Sequence, residues 1–361
     1  MLRAIYTTTK MMTRQILILI FLQTVVRVSF AQNCNCETKF SFLKTYIEKN
    51  YSGFQGKVRK DNKAEYNVFS QNILGPVQKT TNSIRCTELM NEWLAFFKDG
   101  HIQIWDKAKS KDTIPIRDLI ERTDPAVQSK KISDKTFYIQ ILTFNGWNVK
   151  AIDSVFKTSE NILKSTPNLI LDLRENGGGS DFAYRSISPY LYTNPVYNIG
   201  EDVLSTDDNI ISWRSLLNED DIPQSFKEEI KTIVTEMKAH PGQFIPFGND
   251  DIIKPDKVEP FPKKVVVLID NRCASTTEQF LLEALQSKKV TLMGQHTKGV
   301  LDYANMRNVV FPCSSLMLAY ATTRSRRINI GQGIDNIGIE PNITLPVGGD
   351  WIKEATKYLE Q

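Results

Sequence analysis

The sequence predicts an α/β protein with a small helical unit in front of it, and three observations predict it. The apolar runs 169–173 and 265–269 have the length and composition of strands buried on both faces. Just before the first of them, Ile152, Val155, Phe156, Ile162 and Leu163 recur at helical spacing. The order strand, helix, strand over 137–173 is the repeating unit of a parallel sheet.

In chain order, 40–99 reads as helical, with Leu89, Trp93, Leu94 and Phe97 on one face and a stop at Asp99-Gly100. Residues 101–105 alternate like a strand, and 137–142 is a second strand rich in aromatic and β-branched residues. A helix is expected at 182–192, another at 276–287, and a strand at 290–293. Between about 195 and 262 the texture changes to acidic runs, a helix-like 225–238 and the turn His240-Pro241-Gly242, which predicts an insertion capping the main domain. The expected division is thus 1–31 leader, 32–100 helical unit and 101–361 core with its cap.

The chain has 361 residues, 41% apolar, 24% charged and 10% aromatic, which fits a globular protein and excludes a disordered one. Its formal charge of +4 comes from Arg3, Lys10, Arg14 and Arg27, and without them 41 bases face 41 acids. A neutral chain has no general attraction for phosphate backbones, so nucleic acid is not an expected partner. The basic start, the apolar run 16–26 and Ser29-Phe30-Ala31 read as a secretory signal cleaved near Gln32. That implies export across the inner membrane to a periplasmic or extracellular site, without stable membrane insertion after cleavage, since the run is shorter than a spanning helix. Five cysteines are too few for a disulfide scaffold, and a bridge from Cys34 or Cys36 to Cys86 is permitted but not required. His101, His240 and His296 are too scattered to form a sequence-readable metal site, and no cofactor is expected.

Two turns can carry chemistry. After strand 169–173 come Gly177-Gly178-Gly179, whose backbone N–H groups can face one point without Cβ obstruction and so suit a developing oxyanion. The same glycines also fit a plain tight turn with Ser180 or Asp181 as helix cap. After strand 265–269 come Cys273-Ala274-Ser275-Thr276-Thr277-Glu278, where a serine in a strand-to-helix bend can project its hydroxyl beside the N–H of Thr276. Ser275 and Glu278 equally fit a capping box, and Cys273 is a competing nucleophile two residues earlier.

Four motifs in order, Asp172-Leu173-Arg174-Glu175-Asn176-Gly177-Gly178-Gly179, Ala274-Ser275-Thr276-Thr277-Glu278, Gly294-Gln295-His296-Thr297 and Gly338-Ile339-Glu340-Pro341, resemble those of the S41 serine peptidases, the group of the C-terminal processing (tail-specific) and tricorn proteases. The resemblance spans about 137–341. It implies a crotonase-like (ClpP/crotonase) β-β-α core, Ser275 as nucleophile, and an oxyanion hole from Gly178, or its neighbours Gly177 and Gly179, with Thr276. The processing branch closes a Thr-x-Gly-Lys sequence with a catalytic lysine, but Val300 stands there, with Lys298 two residues away and His296 four. Tricorn-type members use an early histidine and an acid before Gly-x-x-Pro, which here implies His101 and Asp335. The acid is a glutamate in that branch and a serine precedes its histidine, whereas this chain has the shorter Asp335 and Gly100.

The sequence therefore predicts a secreted serine peptidase acting on peptides or unfolded proteins through Ser275, His101 and Asp335, with Lys298 and His296 as alternative bases. No PDZ-type carboxylate-binding loop is found between His101 and Asp172, which argues against a preference for C-terminal tails. Two other readings share the fold: a peptide-binding envelope protein that has lost turnover, and an esterase or amidase.

Overall fold

The computed structural model describes residues 34–108, 126–219, 222–254, 258–312 and 314–361, so the leader expected at 1–31 lies outside the described residues. The described residues start with α1 (Cys36–Asn50), α2 (Lys63–Lys79) and α3 (Ser83–Leu94). Asn35 caps α1 by accepting from the amide of Thr38, and Asn82 caps α3 by accepting from Ile84 and Arg85. The Cys36–Cys86 disulfide ties α1 to α3. Phe40, Leu43 and Ile47 of α1 and Tyr66, Ile73 and Val77 of α2 are buried at helical spacing.

Next come β1 (Gln103–Asp106), β2 (Val127–Lys131), β3 (Thr136–Ile141), α4 (Val149–Thr158) and β4 (Asn168–Asp172). The 195–262 region builds β5 (Val196–Asn198), β6 (Glu201–Leu204), α5 (Asp207–Ser215), α6 (Gln224–Ala239), β7 (Phe244–Phe247) and β8 (Asp251–Ile253). The chain closes with β9 (Lys264–Ile269), α7 (Thr276–Ala284), β10 (Val290–Gly294), β11 (Tyr303–Val310), β12 (Leu316–Ser325), β13 (Ile343–Thr344) and α8 (Trp351–Glu360).

Two sheets organise these elements. The first has the order β13-β10-β9-β4-β3-β2, parallel except for the antiparallel edge strand β2. Its strands alternate between two cores. Leu169, Leu171, Val265 and Val267 face α4 and α7, while Ile170, Val266 and Leu268 face Trp351, Ala355 and Leu359 of α8. The second sheet is antiparallel and centred on β12, with β11 on one side and β1 and β6 on the other, and β7 beyond β6. Its Tyr303, Phe311, Leu316, Leu318 and Tyr320 share a core with α1–α3, so the helical unit is built onto this sheet.

The register decides where chemistry can occur. Asp172 pairs with Leu268 and Leu268 with Met293, so β4, β9 and β10 end level and the turns after β4 and β9 leave the same carboxyl edge.

One expectation differs from the fold. The helix expected at 182–192 is a 3-10 turn, Asp181–Tyr184, and a single helical turn, Ser188–Leu191. Residues 185–187 separate the two, and Pro189, which has no N–H to donate back, stands in the first positions of the second. The 195–262 region, expected as an insertion capping the main domain, forms its own core from Trp213, Ile230, Ile233, Val234 and Met237, and its β6 and β7 extend the second sheet.

Candidate active site

Ser275 sits between β9 and α7 with φ 57° and ψ −124°, a conformation non-glycine residues avoid at a cost of about 1–3 kcal/mol. The surroundings hold it there. Its N–H donates to Glu278 Oε2 at 3.1 Å and to the Val300 carbonyl at 3.0 Å. Glu278 is fully buried and also accepts from Thr297 Oγ1 at 2.5 Å and from the amides of Gly299 at 2.7 Å and Val300 at 2.9 Å. Burial pushes its carboxyl up while these donors pull it down, with a net upward direction. The glutamate half of the capping box is thus formed, and it locks the 297–300 loop against the serine.

The Ser275 hydroxyl meets an imidazole: Oγ lies 3.1 Å from Nε2 of His101, a residue 174 positions earlier. His101 is 6% exposed. Its backbone amide donates to Asp99 Oδ1 at 2.8 Å, and Asp99 Oδ2 accepts from the Tyr51 hydroxyl at 2.6 Å. Burial raises the Asp99 carboxyl above its ordinary range, with His101 opposing. On the other side of the ring, Nδ1 is hydrogen-bonded to the backbone carbonyl of Tyr303. A carbonyl only accepts, so Nδ1 carries the proton and the Nε2 lone pair faces the serine.

Asp335 does not take the place expected for it. Its Oδ1 accepts from the amides of Leu301 at 3.0 Å and Asp302 at 2.8 Å, and its Oδ2 faces Lys57 Nζ at 3.4 Å. It makes no hydrogen bond to His101, because the Tyr303 carbonyl already occupies Nδ1. The glycine turn brings a second correction. The Gly178 amide donates to Asn176 Oδ1 at 3.0 Å and is not available to a substrate. Asn176 also takes the Thr277 hydroxyl at 2.8 Å, and its carbonyl accepts from Ala274, so it staples the two turns together. Among the described residues, the amides of Gly177, Gly179 and Thr276 have no protein acceptor. Thr276 Oγ1 donates to the Gly179 carbonyl at 3.1 Å, which sets Gly179 beside the start of α7.

The alternative bases lie apart from this arrangement. Lys298 and His296 are exposed and neither is hydrogen-bonded to Ser275; His296 Nδ1 lies 2.8 Å from the Thr297 carbonyl. Val300 is buried, and a Cβ added to Gly100 would sit 2.9 Å from its Cγ2. Two of the positions where this chain departs from the family pattern are therefore neighbours. Cys273 is fully buried, its thiol donates to the Leu173 carbonyl at 3.0 Å, and burial pushes it well above the usual thiol range. At such a site the thiolate is suppressed, so Cys273 does not compete as nucleophile. Among the described residues no group of three His, Cys, Asp or Glu side chains is placed to hold a metal ion.

Residues 135–345 match the model of peptidase family S41. The chain belongs to that family. Its fold is also that of solved S41 structures, a mixed α/β architecture with a crotonase-like core. Mature CPAF complexed with lactacystin is 14% identical with a TM-score of 0.60, over 90% of this chain and 97% of that one. A lipoprotein from Streptococcus agalactiae is 15% identical with a TM-score of 0.53, over 90% of this chain and 96% of its own. No curated protein matches the chain. Family membership makes peptides or proteins the substrate class.

Sequence reasoning missed Tyr303, Asp99 and Asn176 as parts of the S41 site. Tyr303 acts through a backbone carbonyl, which no residue type announces. Asn176 lay inside the quoted glycine motif, where a buried amide beside three glycines was the available signal.

Proposed function

We propose that this S41 protein is a serine peptidase in which Ser275 is the nucleophile and His101 the general base. The observation that carries the reading is the imidazole between Ser275 Oγ and a backbone carbonyl, which leaves the basic nitrogen on the hydroxyl side. Ser275 Oγ attacks the scissile carbonyl carbon as its proton passes to Nε2, and the tetrahedral oxyanion is met by the Thr276 amide with that of Gly177 or Gly179. The Nε2 proton then goes to the leaving amine, and water hydrolyses the acyl-enzyme by the same path in reverse. At Nδ1 a carbonyl dipole replaces the carboxylate of the usual triad, fixing the tautomer without a full negative charge.

Export also belongs to the proposal. The Cys36–Cys86 bond supports a periplasmic or extracellular site, because such bridges persist in oxidising compartments. Among the described residues no helix is long and apolar enough to cross a membrane.

The test uses a fluorophosphonate probe and an unfolded protein such as casein, with protein recovered from the envelope fraction and medium and its N-terminus sequenced. Labelling and cleavage are expected in the wild type, a start near Gln32, and loss of both activities in Ser275→Ala. His101→Ala should lower cleavage by about 10³-fold or more, whereas Lys298→Ala should leave it unchanged. Turnover of p-nitrophenyl esters without proteolysis would replace this reading with an esterase, and absence of labelling at pH 7–8 with a binder.

A further inference from the structure

The tautomer of His101 depends on a carbonyl, and a carbonyl can act in this way only if its strand is held still. Tyr303 opens β11, and the two residues before it have their amides fixed by Asp335 Oδ1 at 3.0 and 2.8 Å. The clamp is reciprocal, since Asp302 Oδ2 accepts from the amide of Asp335 at 2.9 Å and the Asp302 carbonyl accepts from Ser325 at 2.7 Å. Asp335 is itself anchored from outside the core. Lys57, in the helical turn Phe54–Lys57, reaches its Oδ2 at 3.4 Å while its ammonium stands 5.0 Å over the Tyr303 ring. Gly56 packs so close to that ring that an added Cβ would lie 2.5 Å from the Tyr303 hydroxyl.

We propose that Asp335 is a positioning residue, which pins the 301–302 backbone and so holds the Tyr303 carbonyl on Nδ1 of His101, with Lys57 of the N-terminal helical unit fixing its second oxygen. The inference rests on the peptidase reading for its purpose, but its mechanism is structural. Asp335 needs acceptor oxygens, and its charge does not have to reach the imidazole. An asparagine keeps an acceptor at the Oδ1 position, and an alanine keeps none. A carboxylate acting directly on the ring would instead lose its effect in either variant, as in triads where the amide stabilises the wrong tautomer.

The experiment is nitrogen NMR of the imidazoles in protein carrying 15N-histidine, with His101 assigned from His101→Gln, alongside kcat and KM on a peptide. Wild type and Asp335→Asn are expected to hold the Nδ1–H tautomer, and Asp335→Ala to populate both. For Ala, kcat is expected to fall about 10–100-fold with KM within about threefold, the effect of a misplaced catalytic group. Asp335→Ser, whose hydroxyl is too short to reach both amides, is expected to behave as Ala and serves if Ala does not fold. A single wild-type tautomer in Ala or Ser, or loss of it in Asn as complete as in Ala, would overturn the proposal. The tautomer is read without turnover, so an inactive wild type with this pattern would refute the peptidase reading and leave the positioning role standing.

Discussion

Gly100 and Val300 each replace a residue with a side chain of catalytic interest in one branch of the family, and they are fitted to each other. A Cβ at residue 100 would lie 2.9 and 3.1 Å from the two Val300 methyl carbons, closer than such atoms approach. The Val300 backbone cannot retreat, because its amide is held by Glu278 and its carbonyl by Ser275, and its β-branched side chain has few rotamers to offer. Gly100→Ser is therefore expected to destabilise the protein by about 1–3 kcal/mol, the usual cost of overpacking, and to slow peptide cleavage by displacing His101 next to it. Gly100→Ser with Val300→Ala should recover most of both losses, and a thermal-melt double-mutant cycle should return a coupling above about 0.5 kcal/mol. Additive losses would mean that the contact is not what excludes the side chain. Much of the site was legible at this scale. Ser275 and His101, which the structure brings to 3.1 Å, stand at positions that the resemblance to S41 peptidases implied. What was not legible is backbone chemistry: the Tyr303 carbonyl at Nδ1 and the occupied Gly178 amide depend on chain path.

The glycine turn after β4 and the serine turn after β9 work as one element. Gly178 has φ +97°, and a Cβ there would meet the Ala274 carbonyl oxygen at 2.7 Å and Ser275 Cβ and the Thr276 amide at 2.9 Å each. The first and last are backbone atoms of the nucleophile turn and have no rotamer with which to yield. Gly177, one position away, has open space where its Cβ would go. Gly178→Ala is expected to lower the Tm and cut fluorophosphonate labelling of Ser275 at least tenfold, while Gly177→Ala, which keeps its N–H, stays near wild type in both. Equal effects of the two would show that the turns are not closely fitted. The parallel strands were readable because burial on both faces makes continuous apolar runs. β11 and β12 were not read at all. β11 mixes Asn305, Arg307 and Asn308 with apolar residues and is only partly buried, so it lacks clean alternation. β12 is buried along nearly its whole length, including Thr322 and Thr323, because helices cover one face and the 195–262 region approaches the other.

Across the whole molecule several carboxyls are buried, and a buried carboxyl whose value is raised gives stability an unusual sign with pH. Burial raises Asp99, Asp302, Glu278 and Glu283 above their ordinary values. Glu201, where β6 joins β12, is pushed up to about 7 by burial, with Thr323 and Asn305 hydrogen bonds pulling down, Asp181 pushing up and Arg307 pulling down. Its oxygens accept from Asn305 Nδ2 at 2.5 Å and Thr323 Oγ1 at 2.6 Å. Between the ordinary glutamate value of about 4.5 and about 7, the folded protein holds a proton on Glu201 that the unfolded chain has released. Stability then falls as pH rises through that interval and levels off above it, because the unfolded state binds fewer protons. Glu201→Gln removes this titration while keeping a carbonyl acceptor. Its Tm relative to wild type is expected to rise steadily from pH 4.5 to pH 7.5, with little further change to pH 9. A difference that stays constant over this range would mean that burial does not raise Glu201, since an ordinary or lowered carboxyl is ionised in both states above about pH 4.5.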